Sequence, residues 1–242
     1  MRAYYGNKRT TTDETAVVST LNVAGRMRLR GVGGDPEEWG TGDDLAAQAT
    51  ADWNRVQRWM QGRALVVLTD LCVSGRQLRA MCNRLRESGA WQCYGTPGHY
   101  NKATGQRTAG VLVVWDLRCY VSEGHACVRN GRVVAVRLQD CRAAHAFTVF
   151  GAYMPCRGRP EREVRPAWEA LTGAVADAGP GRMVVGDLNA ELPAALAREA
   201  REPRLADELL QALCEEEQLV TAGPDQATYT HGGRGERRDR SQ

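Results

Sequence analysis

The sequence predicts an α/β protein, of the α+β kind, built as one domain. Short apolar runs typical of strands alternate with segments whose apolar residues recur every three or four positions, as in helices. Between residues 110 and 155, three strand-like runs follow one another with only turn residues between them, as in an antiparallel meander. The chain has 242 residues, of which 43% are hydrophobic, and this is enough for one sizeable core. Because no repeat or low-complexity linker divides it, we assign residues 15–242 to a single domain.

The first half of the chain contains two predicted strands and two predicted helices. Residues 1–14 are mostly polar and are expected to form a flexible terminal segment. The run AVVSTLNVAG predicts a strand that reaches Asn22, and ALVVLTDL predicts a second strand that stops at Asp70. One helix before the second strand and one after it are indicated by two apolar stripes, Leu45, Ala49, Val56 and Met60 in the first and Leu78, Met81, Cys82 and Leu85 in the second.

The second half of the chain is richer in strands. The runs GVLVVW, GRVVAVRLQD and AFTVFGAYMP predict the meander, and GRMVVGDLN predicts a further strand. A helix before this last strand and one after it are indicated by two more apolar stripes, Val164, Trp168, Leu171 and Val175 in the first and Leu205, Leu209, Leu210 and Leu213 in the second.

Composition narrows the classes of function. The net charge is only +3, so no strong positive field of the whole molecule indicates a nucleic-acid partner. The eight cysteines form no CxxC pair and no zinc-finger spacing, which argues against structural zinc and for a reducing compartment. The start lacks the apolar stretch of a signal peptide, and no run is long enough to span a membrane. We therefore expect an intracellular protein, nuclear or cytoplasmic, without a membrane partner.

Polar side chains stand where several predicted strands end. Asp187 and Asn189 close the run MVVGDLN, and residues two apart in a strand point to the same side. Gly186 before them would let a ligand approach the backbone closely. Asn22, Asp70 and Tyr153 are found at three other strand ends, which is where open α/β sheets keep their ligand groups.

Two carboxylates, two amides and a phenol suggest phosphodiester hydrolysis assisted by a hard cation. Carboxylate and amide oxygens suit Mg²⁺, which keeps several waters and borrows phosphate oxygens from its substrate. Taken singly, Asn22 or Asp70 is more simply explained as a turn former or helix cap, and Tyr153 as a half-buried aromatic. The order of these residues along the chain and their shared context at strand ends favour a common site.

The same segments resemble the motifs of the endonuclease/exonuclease/phosphatase superfamily. STLNVAG, VVLTDL, AGVLVVW, GAYMP and VVGDLNAE occur in the family's order, and TYTHGG with RRDRSQ resembles the approach to its Ser-Arg-Ile-Asp motif. The resemblance runs from about Ala16 to the last residue. It implies a four-layer sandwich, in which two packed, mostly antiparallel sheets have helices outside. TYTHGG and the tryptophan-containing helix before VVLTDL are most similar to endonuclease domains of non-LTR retrotransposons.

The resemblance also implies a role for each residue at the strand ends. Asn22 and Asp70 would hold Mg²⁺, or Mn²⁺ in its place, and Tyr153 would contact the scissile phosphate. Asp187 would activate the attacking water, and Asn189 would hold the phosphate. The implied activity is a metal-dependent endonuclease that nicks DNA. Its implied partners are DNA and a reverse transcriptase domain on the parent polyprotein.

The sequence departs from the family pattern in two places. Asp70 stands where the family uses Glu, so its carboxylate is one methylene shorter and metal affinity is in question. The chain also stops at Gln242, before the family's final Asp and His, so we expect the last strands to be missing and the activity of this chain to be doubtful. None of the four histidines, His99, His125, His145 and His231, lies in a matching motif.

Three functions remain open on sequence grounds. The leading one is the endonuclease, with Arg157 and Arg159 as candidate contacts to the DNA backbone, although both also suit solvated loop positions. The second is a phosphatase or phospholipase on the same scaffold, acting on inositol phosphates or sphingolipids, because the loops select the substrate. The third is an inactive remnant that only binds nucleic acid, because residues acting as a unit fail together.

Overall fold

The computed structural model describes residues 2–5, 16–23, 53–102, 106–143, 145–198 and 200–220. In these ranges the chain forms eleven strands and five helices, of which the described part of the first helix covers residues 53–60. Their order is β1 (Arg2–Tyr5), β2 (Ala16–Asn22), α1 (residues 53–60), β3 (Leu65–Thr69), α2 (Gly75–Glu87), β4 (Trp91–Thr96), β5 (His99–Asn101), β6 (Gln106–Thr108), β7 (Val111–Asp116), β8 (Tyr120–Arg129), β9 (Val133–Asp140), β10 (Ala146–Tyr153), α3 (Glu161–Asp177), β11 (Arg182–Asp187), α4 (Pro193–Arg198) and α5 (Leu205–Glu216).

Nine of these strands build two main sheets, and β5 pairs with β6 in a separate small hairpin. The first sheet has the order β1-β2-β3-β7-β4, and the second has the order β11-β10-β9-β8. Within them, β2 runs parallel to β3 and β10 runs parallel to β11, whereas the other described neighbours are antiparallel. The predicted mostly antiparallel pair of sheets is therefore confirmed.

The central strands bury both of their faces. In β3, Leu65 and Val67 pack in the core between the two sheets, while Val66 and Leu68 pack against α1 and α2 on the other side. This division follows from the two-residue period of a strand, which sends successive side chains to opposite faces. A strand buried on both sides needs an unbroken apolar sequence, and this accounts for the run LVVLT.

Helices cover the outer face of each sheet. The predicted stripe of α2 is buried, and Ser74 caps this helix by accepting a hydrogen bond from the Gln77 amide. On the second sheet, Trp168 of α3 packs in a core that includes Phe150 of β10 and Leu213 of α5. The order of layers is helices, first sheet, second sheet and helices, as expected.

The structure corrects the predicted meander. GVLVVW corresponds to β7, which pairs with β3 and β4 in the first sheet, while the antiparallel ladder of the second sheet consists of β8, β9 and β10. β8 was not predicted because it is an edge strand of the described sheet with many exposed positions, so YVSEGHACVR lacks a strong apolar pattern.

The prediction for the N-terminus also needs correction. Arg2–Tyr5 were assigned to a flexible segment, but they form β1, whose backbone pairs with Ala16–Ser19 at the edge of the first sheet. The open backbone groups of β2 offer this pairing to any extended segment. No helix in the described ranges is both long and apolar enough to cross a bilayer.

Candidate active site

Four strands end at the same place in the fold. The parallel pairing of β10 with β11 aligns Tyr153 with Asp187, and that of β2 with β3 aligns Asn22 with Thr69, immediately before Asp70. The Nδ2 atom of Asn22 donates a hydrogen bond of 2.7 Å to Oδ2 of Asp187. Because Asn22 belongs to the first sheet and Asp187 to the second, this bond spans the two sheets. The predicted convergence of these residues is present in the structure.

Asp70 and Tyr153 form a second contact between the sheets. The Oδ1 atom of Asp70 accepts hydrogen bonds from the Ala109 amide at 3.0 Å and from the Cys72 thiol at 3.3 Å. Burial raises the pKa of the Tyr153 hydroxyl, and so do the charge of Asp70 and a hydrogen bond to it. Tyr153 therefore stays protonated at neutral pH and beyond, and its single hydroxyl proton is donated to Asp70.

Asn189 lies beside Asp187 because of a turn that follows β11, and not because it belongs to the strand. β11 ends at Asp187, and Asn189 lies beyond it with a left-handed φ of 50°. Its amide N–H donates to Oδ1 of Asp187 at 3.2 Å, and its Nδ2 donates to the Met154 carbonyl at 2.9 Å. The prediction that strand alternation aligns Asp187 with Asn189 is therefore wrong. A tight turn, for which Asn is well suited, brings the two together.

Gly186 has a different role from the one predicted. A Cβ atom at this position would lie 1.8 Å from the carbonyl oxygen of Ala152, and φ is 153°. Glycine is required here because β11 and β10 approach each other too closely for any side chain. The close approach of the two strands is thus sufficient to explain the glycine.

Arg132 is a site residue that the sequence analysis missed. Its guanidinium lies over the Tyr153 ring, 5.2 Å from the centroid, and its Nη1 atom donates to the Tyr153 carbonyl at 3.3 Å. Burial lowers the pKa of Arg132, although nearby Tyr153 and Asp70 oppose this. The position of Arg132 just before β9 could have identified it, because antiparallel pairing brings the start of β9 next to the end of β10, where Tyr153 lies.

Arg157 and Arg159 follow Tyr153 closely in the sequence. Both are exposed, in the loop between β10 and α3. A hydrogen bond with Cys156, the charge of Cys156 and the charge of Glu163 raise the pKa of Arg159, and its Nη1 atom is 3.7 Å from Oε2 of Glu163. The structure gives these two arginines no hydrogen bond to the residues at the strand ends that it describes.

The donor atoms at the strand ends fit a hard cation. Two carboxylates, Asp70 and Asp187, and one amide, Asn22, offer oxygen atoms, which Mg²⁺ and Mn²⁺ prefer. Within the described ranges no group of three or more His, Cys, Asp and Glu residues could hold a metal ion. The oxygen donors at the strand ends suit an ion that keeps most of its waters. The segments TYTHGG and RRDRSQ lie outside the described residues.

No protein-family model matches the chain, and no curated protein matches it. Among solved structures, the chain is similar to an AP endonuclease from Leishmania major, with 11% identity and a TM-score of 0.49 over 82% of this chain and 65% of that one.

Two further structures are similar at lower TM-scores. The endonuclease domain of the non-LTR retrotransposon TRAS1 has 10% identity and a TM-score of 0.44 over 68% of this chain and 64% of that one. The human nocturnin catalytic domain has 14% identity and a TM-score of 0.46, covering 60% of each chain. The chain thus spans about three fifths of the length of these two proteins. The solved structures similar to this chain include members of the endonuclease/exonuclease/phosphatase family.

Proposed function

We propose that this chain carries the site of a Mg²⁺-dependent phosphodiester hydrolase, and that its reaction is the nicking of DNA. The observation that supports this most directly is the hydrogen bond of 2.7 Å between Asn22 and Asp187, which joins the ends of the two sheets beside Asp70 and Tyr153. A carboxylate, an amide and a protonated phenol are then available around one phosphate group. Bound Mg²⁺, or Mn²⁺, would neutralise negative charge on the phosphate oxygens.

Each residue of the chain has a distinct part in the proposed reaction. Asp187 orients the attacking water and accepts its proton, and the Nδ2 atom of Asn22 holds the carboxylate in place. The Tyr153 hydroxyl stays protonated because its pKa is raised. In the proposed reaction it turns from Asp70, which would then bind the cation, and donates to a phosphate oxygen. Arg132 lies against the Tyr153 ring and supplies fixed positive charge behind it. Asn22 and Asp70 would hold the cation.

We propose that Arg157 and Arg159 contact the phosphates of the DNA backbone beside the reacting one. Both side chains are exposed in the loop that follows Tyr153, where a long polyanion could reach them. The proposal that the parent polypeptide is a retrotransposon protein with a reverse transcriptase domain rests on the motif pattern of the sequence. Purification of a longer product that contains both domains from its natural source would test it.

The decisive experiment measures Mg²⁺-dependent nicking of supercoiled plasmid by the unsubstituted chain and by two variants. In Asp187→Ala the proposed base is lost, and we expect the rate to fall about 10²- to 10⁴-fold. Asp177→Ala is the matched control, because this exposed aspartate ends α3, just before the start of β11, whereas Asp187 is at the other end of that strand. It should nick like the unsubstituted chain.

Three outcomes would contradict the proposal in different ways. Equal nicking by Asp187→Ala and the unsubstituted chain would remove Asp187 from the reaction. Release of phosphate from a small phosphomonoester without nicking would identify a phosphatase on the same scaffold. DNA binding without any hydrolysis would identify a remnant that binds nucleic acid.

A further inference from the structure

We call Asn22, Asp70, Tyr153 and Asp187 the strand-end cluster. A buried carboxylate outside this cluster contacts the chain just after the GDLN segment. Asp207 lies in the first turn of α5 and is only 2% exposed. Its two oxygens accept hydrogen bonds from the Arg204 amide at 2.9 Å, from Arg204 Nε at 2.8 Å and from Arg204 Nη2 at 2.7 Å. Its Oδ1 atom also accepts from the Glu191 amide at 2.8 Å. Asp207 thus joins α5 to the loop that carries Asn189.

The helix that carries Asp207 is firmly held. Farther along α5, Leu210 and Leu213 are buried in the core that contains Trp168 of α3. Burial opposes ionisation of Asp207, but its hydrogen bonds with Arg204 and the Glu191 amide lower its pKa. The carboxylate is therefore charged at neutral pH and fixed on a rigid element.

The loop between Asp187 and Glu191 is held at both ends. At one end, the Met154 amide donates to the Asp187 carbonyl at 2.9 Å. At the other end, the Glu191 amide donates to Asp207, and the Glu191 side chain pairs with Arg201. Between them lies Asn189, whose φ of 50° is sparsely populated by residues other than glycine. Such a conformation persists only where the surrounding structure fixes it.

We infer that Asp207 is a positioning residue for the proposed reaction, acting through the Glu191 amide to hold the loop that presents Asn189 to Asp187. This inference rests on the proposed function. Without Asp207 the Glu191 amide loses its acceptor, and the loop can relax away from the left-handed turn. Asn189 then no longer donates to Asp187, so the carboxylate loses a bond that fixes its orientation.

Asp116 provides a matched control, because it is also a buried carboxylate that binds an arginine. Asp116 is 3% exposed and accepts from the Arg118 amide at 2.8 Å and from Arg118 Nη2 at 2.6 Å. It ends β7, whose other end pairs with Thr69 next to Asp70. A strand of this length places Asp116 roughly 15 Å or more from the strand-end cluster. Asp116→Ala therefore removes similar interactions without altering a contact of the loop between Asp187 and Glu191.

The test compares Asp207→Ala with Asp116→Ala in the full chain at a temperature where both are folded. The first measurement is steady-state nicking with Mg²⁺. We expect kcat of Asp207→Ala to fall about 10- to 100-fold with KM unchanged, while Asp116→Ala keeps both values. The second is amide hydrogen exchange, in which Asp207→Ala should speed exchange at residues 188–191 and Asp116→Ala should not. If Asp207→Ala does not fold, Asp207→Asn replaces it, because Asn has no charge and leaves one acceptor oxygen for the four donors that now share two.

Equal effects of the two variants on kcat would overturn the inference, because they would reflect general destabilisation. Unchanged exchange at residues 188–191 in the Asp207 variant would overturn it as well. The exchange measurement does not depend on catalysis. If the unsubstituted chain does not nick DNA, the proposed function fails, while exchange alone still decides whether Asp207 holds this loop.

Discussion

Replacing Gly186 with alanine should break the pairing between β11 and β10. The new Cβ would lie 1.8 Å from the carbonyl oxygen of Ala152 and 2.8 Å from its carbonyl carbon. Both are backbone atoms, so neither can rotate away as a side chain does. The backbone at Gly186 also has a φ of 153°, which side-chain-bearing residues rarely adopt. Relief therefore requires β11 to move.

The expected cost follows from these two features. Strain from the backbone conformation costs about 1–3 kcal/mol. Displacing β11 from β10 loses at least two hydrogen bonds of the ladder near Gly186, at about 1 kcal/mol each. The sum, about 3–5 kcal/mol, is a large share of the roughly 5–15 kcal/mol that stabilises a typical domain. The melting temperature should fall by about 6–20 °C.

Urea unfolding followed by circular dichroism measures this change, with Gly173→Ala as the control. Gly173 lies inside α3, and apart from its chain neighbours and the adjoining helix backbone no atom is within 4 Å of the position that an added methyl group would take. Alanine there should therefore stabilise the chain by about 0.5–1 kcal/mol. The two substitutions add the same methyl group, but Gly186→Ala should lower the free energy of unfolding and Gly173→Ala should raise it. If Gly186→Ala unfolds at the same urea concentration as the unsubstituted chain, β11 and β10 do not approach each other as closely as this structure requires.

Three further predictions concern the site and its surroundings. Tyr153→Phe removes the hydroxyl that would donate to the phosphate, so nicking should slow about 10- to 100-fold without unfolding, as circular dichroism can verify. Burial of Asp207 opposes its ionisation, but Arg204 lowers its pKa, so the carboxylate stabilises the fold above about pH 4 and this stabilisation is lost as the pH falls further. Urea unfolding at several pH values should show a weaker pH dependence for Asp207→Asn. Replacing Arg157 and Arg159 with serine should weaken DNA binding and reduce the slope of log affinity against log salt by about 0.9 per phosphate contact, and an unchanged slope would exclude both contacts.

The apolar patterns predicted most of the fold because burial determines them. The stripe that contains Trp168 and the unbroken run of β3 each had one consistent interpretation, and both are confirmed. β8 and β1 were missed because edge strands are held mainly by backbone pairing, which leaves little trace in side-chain pattern. The assignment of β7 to the meander failed for a related reason. Sequence proximity suggested pairing with β9, whereas β7 lies between β3 and β4.

The candidate site was predictable only where it depends on strand ends. Asn22 and Asp187 each close a strand, and the parallel pairs bring them together. Arg132 precedes its strand, so only knowledge of the antiparallel partner places it beside Tyr153. Asn189 was placed by strand alternation, but its turn geometry depends on tertiary contacts that the local sequence does not encode.

The hydrogen bond between Asn22 and Asp187 has a consequence for how the two halves of the chain depend on each other. The strands of the first sheet come from residues up to Asp116, and those of the second come from Tyr120 onward. Neither half contains a complete set of the strand-end residues. Separation of the two sheets at this edge would therefore break the bond, since Asn22 and Asp187 belong to different halves of the chain. The bond between Asn22 and Asp187 forms only when the two sheets are packed together as in this structure.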